Sequence, residues 1–431
     1  MKDGGERKFG LETLCAHAGQ IPDGDTGARA PPIYQTAAFV FDSADHAASL
    51  FNLQTFGNVY SRVSNPTNAM FEERIAAAEN GRAALATASG MAASATATLA
   101  LLQQGDEVVA AKTLYGGTYS LLDVNFRRFG ITTHFVDGDD PENFARAIND
   151  RTHLLFAETV GNPAMNVLDV EKVAAVARAA GVPLIVDNTI PTPALCRPLE
   201  WGADIVVHSA TKYIGGHGAA LGGVIVESGK FPWDNGKFPA MTEPSAGYHG
   251  VRFYETFGDF GFTMRARCEF LRTFGAVLAP FHSFLFLQGM ETLPLRMRRH
   301  SENALTVAEF LTRHPRVEWV NYPALESSPH RETARKYLPD GAGGVLTFGV
   351  CGGAQTGARL IENVRLCSHL ANIGDTKTLI IHPASTTHRQ MNEEQQRAAG
   401  IAPEMIRLSV GLETVDDIIW DLEQSLAAAT K

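Results

Sequence analysis

Lys212 combines a residue type and a setting that suit covalent chemistry. It stands just past an apolar run, Asp204-Ile-Val-Val-His208, and comes after the hydroxyls of Ser209 and Thr211. Most lysines are solvated surface cations, but an amine just beyond a buried strand can lose its proton and attack an aldehyde. Other polar residues occupy comparable positions after apolar runs: Ser89-Gly90-Met91, Tyr115, Glu158 with Asn162, and Asp187. Ser89-Gly90-Met91 opens a helix, where backbone N–H groups and close approach at glycine suit a phosphate, although a plain tight turn reads the same way. Asp187 either caps the helix after its strand or holds a charge for a partner. Gly215-Gly216-His217-Gly218 has neither the Rossmann nor the P-loop spacing and reads as a turn.

Taken singly, each of these is ordinary; their order is not. A phosphate turn, an aromatic, Asn, Asp and then Ser-x-Thr-Lys is the order needed to hold pyridoxal 5'-phosphate. The aromatic stacks on the ring, Asn meets the ring hydroxyl, Asp keeps the ring nitrogen protonated and Lys bonds the aldehyde.

The elements that must position these residues are set by the apolar pattern. A helix is expected to start at Asn65-Pro66, a cap followed by proline at the first helical position, with Phe71, Ile75 and Ala78 on one face and Gly81 ending it. Short apolar strands are expected at 83–86, 107–111, 153–157, 183–187, 204–208 and 224–226. Helices are expected from Ser89 to Gln103 and from Val170 to Ala180. Strands of this kind alternating with helices mean a mostly parallel sheet covered on both faces, with ligands bound beyond the strands' carboxyl ends. Near residue 275 the pattern changes to long amphipathic helices (302–312 and 415–428) flanking isolated strands such as Gly344–Gly349, a smaller C-terminal α+β domain. The division expected is therefore an irregular N-terminal arm (1–62), a large domain (63–275) and a C-terminal domain (276–431).

Composition narrows the function classes. The 431 residues exceed one compact core, and 45% hydrophobic with 19% charged residues is an ordinary globular balance. A net charge of −10 offers no basic surface to nucleic acid. The opening MKDGGERKFG lacks the apolar stretch of a secretory leader, and no apolar run reaches the roughly 18 residues of a membrane span. Five cysteines without pairing spacings read as reduced thiols in the cytoplasm. No metal-binding pattern is present.

Across almost its whole length the sequence resembles the Cys/Met-metabolism family of fold-type-I pyridoxal phosphate enzymes. The segments that carry the resemblance are Tyr60-Ser-Arg-Val-Ser-Asn-Pro-Thr67, Ser89-Gly-Met91, Leu114-Tyr-Gly-Gly-Thr-Tyr119, Glu158-Thr-Val-Gly-Asn-Pro163, Val186-Asp-Asn-Thr189, Ser209-Ala-Thr-Lys-Tyr-Ile-Gly-Gly-His-Gly218, His382-Pro-Ala-Ser-Thr-Thr-His388 and Arg407-Leu-Ser-Val-Gly-Leu-Glu413. The resemblance implies that Lys212 tethers the cofactor and moves protons. It implies further that Asp187 pairs with the ring nitrogen, that Asn162 lies near the ring hydroxyl, and that Tyr115 stacks and assists proton transfer. Ser89, Gly90, Met91, Ser209 and Thr211 would bind the phosphate, joined by Tyr60 and Arg62 of a neighbouring subunit. Arg407 would grip the substrate carboxylate with its two-pronged guanidinium.

Within the family the chain most resembles members that join O-acetylhomoserine to sulfide, with methanethiol as a further acceptor; cystathionine γ-synthases and γ-lyases are the alternative. Asn372 stands where the lyases usually carry Ser, among the expected substrate contacts. The stretch from Phe231-Pro-Trp-Asp-Asn-Gly-Lys-Phe238 through Tyr248-His249-Gly250 resembles an insertion of the sulfide-using branch. Ala219-Ala220 departs from the family pattern, which has a hydroxyl residue there. A homotetramer built from dimers with shared sites is also implied.

Overall fold

The computed structural model describes residues 7–386 and 400–429. Seven strands form the first sheet: β1 (Ala83–Thr87), β2 (Glu107–Ala111), β3 (Thr132–Val136), β4 (Thr152–Glu158), β5 (Leu184–Asp187), β6 (Ile205–His208) and β7 (Gly223–Glu227), in the order β1-β7-β6-β5-β4-β2-β3. Neighbours from β6 through β5 and β4 to β2 and β3 are parallel, and β7 runs antiparallel to both β6 and β1. Runs such as Leu184-Ile-Val186 are buried throughout, because helices cover both faces of a parallel sheet. The carboxyl ends of the parallel strands therefore point to one rim, and the start of β7 at Gly223 reaches the same rim.

Local signals place the helices around this sheet. Asn65 accepts the Thr67 N–H at 3.0 Å and Pro66 opens α3 (Pro66–Ala78), whose Phe71, Ile75 and Ala78 are all buried. Ser89 caps α4 (Gly90–Leu99), which stops short of the expected Gln103. Asp169 caps α5 (Val170–Ala180), and Gly181, at φ 64°, ends it in the left-handed conformation that glycine adopts freely. The arm is less irregular than its glycines and prolines suggest: α1 (Leu11–His17) and α2 (Ala44–Phe51) lie within it, α2 capped by Ser43. Edge strand β3, Thr-Thr-His-Phe-Val, escapes the pattern because it has no apolar run.

Beyond residue 275 come α6 (Pro280–Glu291) and α7 (Leu293–Arg313), the latter starting well before the expected residue 302 with a proline in its first turn. The second sheet comprises β8 (Val317–Asn321), β9 (Val345–Val350), β10 (Ser368–His369), β11 (Leu379–Ile381) and β12 (Met405–Ser409), ordered β10-β11-β12-β9-β8. The C-terminal helix α8 (Val415–Ala429) anchors this sheet: buried Asp421 accepts the backbone N–H groups of Arg365, Leu366 and Cys367 at 2.7–2.9 Å. The fold is thus a mostly parallel α/β sheet with a smaller second sheet. Among the described residues no helix is long and apolar enough to cross a membrane, and no cluster of His, Cys, Asp or Glu could hold a metal ion.

Arg74 of α3 ties the arm to this body. Its side chain is fully buried, with Nε donating to the Ala18 carbonyl at 3.0 Å, Nη2 to Gln20 Oε1 at 2.6 Å and Nη1 to the Leu287 carbonyl at 3.3 Å. Arg74→Leu fills much of the same volume but leaves those acceptors unpaired, at about 1–3 kcal/mol each. Amide hydrogens of residues 11–20 should then exchange faster by mass spectrometry, while the sheet's own protection stays unchanged.

Candidate active site

At the carboxyl rim lies a cavity of about 190 Å³, lined by Ser89, Gly90, Met91, Tyr115, Asn162, Asp187, Ser209, Thr211, Lys212, Asn372 and Arg407. Residues as remote in sequence as Ser89 and Lys212 meet there because the strands of the first sheet deliver their following loops to one rim, and the second sheet brings Arg407 of β12 and the β10–β11 segment with Asn372 against it.

One end of the cavity is made for an anion. The first N–H groups of α4 have no acceptor inside the helix, and Ser89 Oγ satisfies only that of Ala92, at 3.1 Å. The N-terminus of a helix attracts negative charge. No side chain can intrude there: a Cβ on Gly90 would lie 2.6 Å from Ser209 Cβ, and one on Gly223 would lie 2.1 Å from the Ser89 carbonyl oxygen. Thr211 Oγ1 accepts the Gly222 N–H at 3.0 Å, joining the turn before Lys212 to the approach of β7.

The floor carries two acids. Asp187 and Glu158 are register partners on β5 and β4, so both face the cavity from adjacent strands. Asp187 caps a turn as well as facing the cavity: its Oδ1 accepts the Thr189 N–H at 2.9 Å and the Thr189 hydroxyl at 2.5 Å, while Thr189 Oγ1 accepts the Ser209 N–H at 2.8 Å. Burial raises the Asp187 pKa. Glu158 is pushed up strongly by burial and then by the neighbouring Asp187 charge, and its Oε1 accepts the Tyr115 N–H at 2.6 Å. A cation facing Asp187 would relieve that cost.

Opposite stand two cations. Burial, and then the Arg407 charge, lowers the Lys212 amine to about 8. The Lys212 amine donates to Asn372 Oδ1. Arg407, on β12 in register with Thr347 of β9, reaches Asn162 Oδ1 at 3.4 Å and the Asn372 carbonyl at 3.5 Å.

An anion socket, an acid on the floor, an aromatic at the mouth and an amine of lowered pKa fit pyridoxal phosphate point for point: phosphate, ring nitrogen, ring face and aldehyde. Fold and cavity together define a fold-type-I pyridoxal phosphate enzyme. Residues 12–427 match the family model described as Cys/Met metabolism PLP-dependent enzyme, and the chain belongs to that family. It is 52% identical to an O-acetyl-L-homoserine sulfhydrylase of Leptospira meyeri, covering 97% of both chains. It is 51% identical to a homocysteine synthase of Schizosaccharomyces pombe, over 97% of this chain and 98% of that one. A 2.35 Å crystal structure from Campylobacter jejuni, of a protein assigned as an O-acetylhomoserine (thiol)-lyase and carrying a pyridoxyl-lysine phosphate, superposes with a TM-score of 0.94. It is 40% identical, over 97% of this chain and all of that one.

The expected residues that the cavity does not gather are Tyr60 and Arg62. Both are exposed on the arm, with the Arg62 guanidinium 5.1 Å from the centre of the Tyr60 ring. Thr387 and His388 of the His-Pro-Ala motif lie outside the described residues. Thr189 lies in the Val186–Thr189 segment and Glu158 among the polar residues after apolar runs, but the sequence gives neither the place the structure shows: Thr189 bridges Asp187 to Ser209, and Glu158 stands beside Asp187. Its register with Asp187 is the feature that marks it.

Gly223→Ala tests the anion socket. The added methyl would press on the Ser89 carbonyl and on the Gly90 nitrogen, 2.7 Å away, at the head of α4. The variant should bind pyridoxal phosphate at least about tenfold more weakly by fluorescence titration, since loss of a charge-assisted contact is worth that much. Unchanged affinity would place the phosphate elsewhere.

Proposed function

We propose that this chain makes L-homocysteine and acetate from O-acetyl-L-homoserine and sulfide, as a pyridoxal-phosphate-dependent γ-replacement enzyme. The observation that carries the reading is the meeting, in one cavity, of a half-buried amine and a half-buried guanidinium on a common support, Asn372. The sulfhydrylase and homocysteine synthase names of relatives at 52% and 51% identity choose among the family's reactions.

In this reading Ser89, Gly90, Met91, Ser209 and Thr211 hold the phosphate, Asp187 faces the ring nitrogen, Asn162 the ring hydroxyl and Tyr115 the ring face. When bound, the cofactor supplies the electron sink for charge developing beside the substrate's α carbon. Arg407 grips the α-carboxylate through paired N–H groups. Lys212 Nζ holds its proton less tightly than a solvated lysine, so it can take the α proton and later return it. Val160, Ile190 and Ile373, all buried, add apolar wall that limits water. Over the whole reaction acetate leaves the γ carbon and sulfide takes its place.

The reading includes the division into arm (1–62), cofactor-binding unit (63–275) and C-terminal unit (276–431), a cytoplasmic location, and a tetramer built from dimers that share sites. What supports sharing is the exposure of Tyr60 and Arg62 outside their own chain's cavity, with the Arg62 guanidinium, a group suited to phosphate, standing over the Tyr60 ring at the surface.

Purified protein supplied with O-acetylhomoserine and sulfide should release homocysteine faster than with O-succinylhomoserine, and should leave cystathionine and methionine essentially uncleaved. Lys212→Ala should reduce turnover to background and abolish the visible band of lysine-linked cofactor while still binding pyridoxal phosphate. Faster cleavage of cystathionine than consumption of acetylhomoserine would overturn the assignment.

Arg62→Ala and Lys212→Ala should each be inactive alone. Refolded together in equal amounts, about half the dimers are mixed, and each mixed dimer holds one intact site, so activity should return to about a quarter of wild type. No recovery in demonstrably mixed dimers would show that both residues serve the same chain's site.

A further inference from the structure

The segment between β10 and β11 enters the cavity as a rigid post. The Gly374 N–H donates to Ser409 Oγ on β12 at 2.9 Å, and the Thr376 N–H donates to the Gly216 carbonyl at 3.0 Å, on the turn that carries Lys212. The fit is close: a Cβ on Gly374 would lie 2.7 Å from the Tyr213 nitrogen. At the tip of this post is Asn372, half-buried, and it is engaged twice. Its carboxamide oxygen accepts from the Lys212 amine, and its backbone carbonyl accepts from Arg407 Nη2 at 3.5 Å.

We propose that Asn372 is a positioning residue for Lys212: its side chain fixes the free amine on the cavity wall, and its main chain independently supports the carboxylate-gripping Arg407. This goes beyond a contact to substrate and rests on the reading of Lys212 as the group that moves protons. The amine must stand free of the cofactor while substrate is being processed, and a fixed acceptor holds it at one point instead of letting a flexible four-carbon stem wander. The carboxamide is neutral, so it orients the amine without neutralising it or competing with Arg407 for the substrate carboxylate. Because the support for Arg407 is main chain, changing the Asn372 side chain leaves that contact in place.

The other ionisable groups lining the cavity are Tyr115, Glu158, Asp187 and Arg407, none of which is altered by a change at residue 372. A hydrogen-bond acceptor at the amine favours its charged form, and a carboxylate in the same place favours it more. In the cofactor-free full-length protein, competitive labelling with acetic anhydride, read by mass spectrometry on the Lys212 peptide, reports how much free amine is present. At pH 7, Asn372→Ala should label Lys212 several-fold faster than wild type, and Asn372→Asp, of the same shape, should label it more slowly. In the holoenzyme, Asn372→Ala should lose about tenfold in kcat while the KM for O-acetylhomoserine stays within about twofold. Unchanged labelling in both variants, or a raised KM with kcat kept, would overturn the proposal and leave Asn372 a substrate contact or a bystander. The labelling needs neither cofactor nor substrate, so it decides this point even if a different acyl substrate proves correct.

Discussion

Lys212, Arg407, Asp187 and Glu158 all line one small, partly buried cavity, and charged groups there cost free energy unless something of opposite sign stands close. The protein does not pair them directly. The acids sit together on the floor, where burial raises their pKa values, whereas the cations sit opposite, where burial lowers theirs; Lys212, brought to about 8, is the one that can shed a proton, and Arg407 keeps its charge. Such a cavity is out of balance until a ligand with a cationic ring nitrogen, an anionic phosphate and an anionic carboxylate arrives. In the proposed reading each of those charges has a counterpart: Asp187, the head of α4, and Arg407. Affinity and electronic tuning come from the same imbalance, because a group that relieves a buried charge is also gripped in the protonation state that relieves it.

Holding unbalanced charge requires positions that cannot relax, and the sheet supplies them. Asp187 and Glu158 cannot swing apart because they are register neighbours on hydrogen-bonded strands. Thr189 links Asp187 to Ser209, so the acid and the phosphate end move as one piece. Glycines at 90 and 223 let backbone meet backbone where any side chain would push the socket open.

Much of this is legible in the residues because it is local. The cap at Asn65-Pro66, the helix from Val170 to Ala180 and the buried strands before Asp187 and Ser209 all come from short-range pattern. So does the placement of polar residues after strands, which is enough to group most of the cavity's residues. The features that escape depend on partners remote in sequence. β3 is an edge strand whose half-exposed face leaves no apolar run, and α7 begins nine residues earlier than its amphipathic core because Leu293 and Pro294 are themselves buried. The tie between Asn372 and Lys212 spans 160 positions, and nothing near either residue announces it. Tyr60 and Arg62 are marked by family motif; in the fold both are exposed on the arm and do not line the cavity.

That long span has a bearing on synthesis. When Lys212 emerges from the ribosome, the floor acids Glu158 and Asp187 and the head of α4 have already been made, but Gly223, which packs on the head of α4, and the segments carrying Asn372 and Arg407 have not. A chain halted between Lys212 and β12 therefore has the lysine without Arg407 on the opposite part of the cavity lining. Completion of the second sheet is the step that completes the lining of a cavity begun by the first.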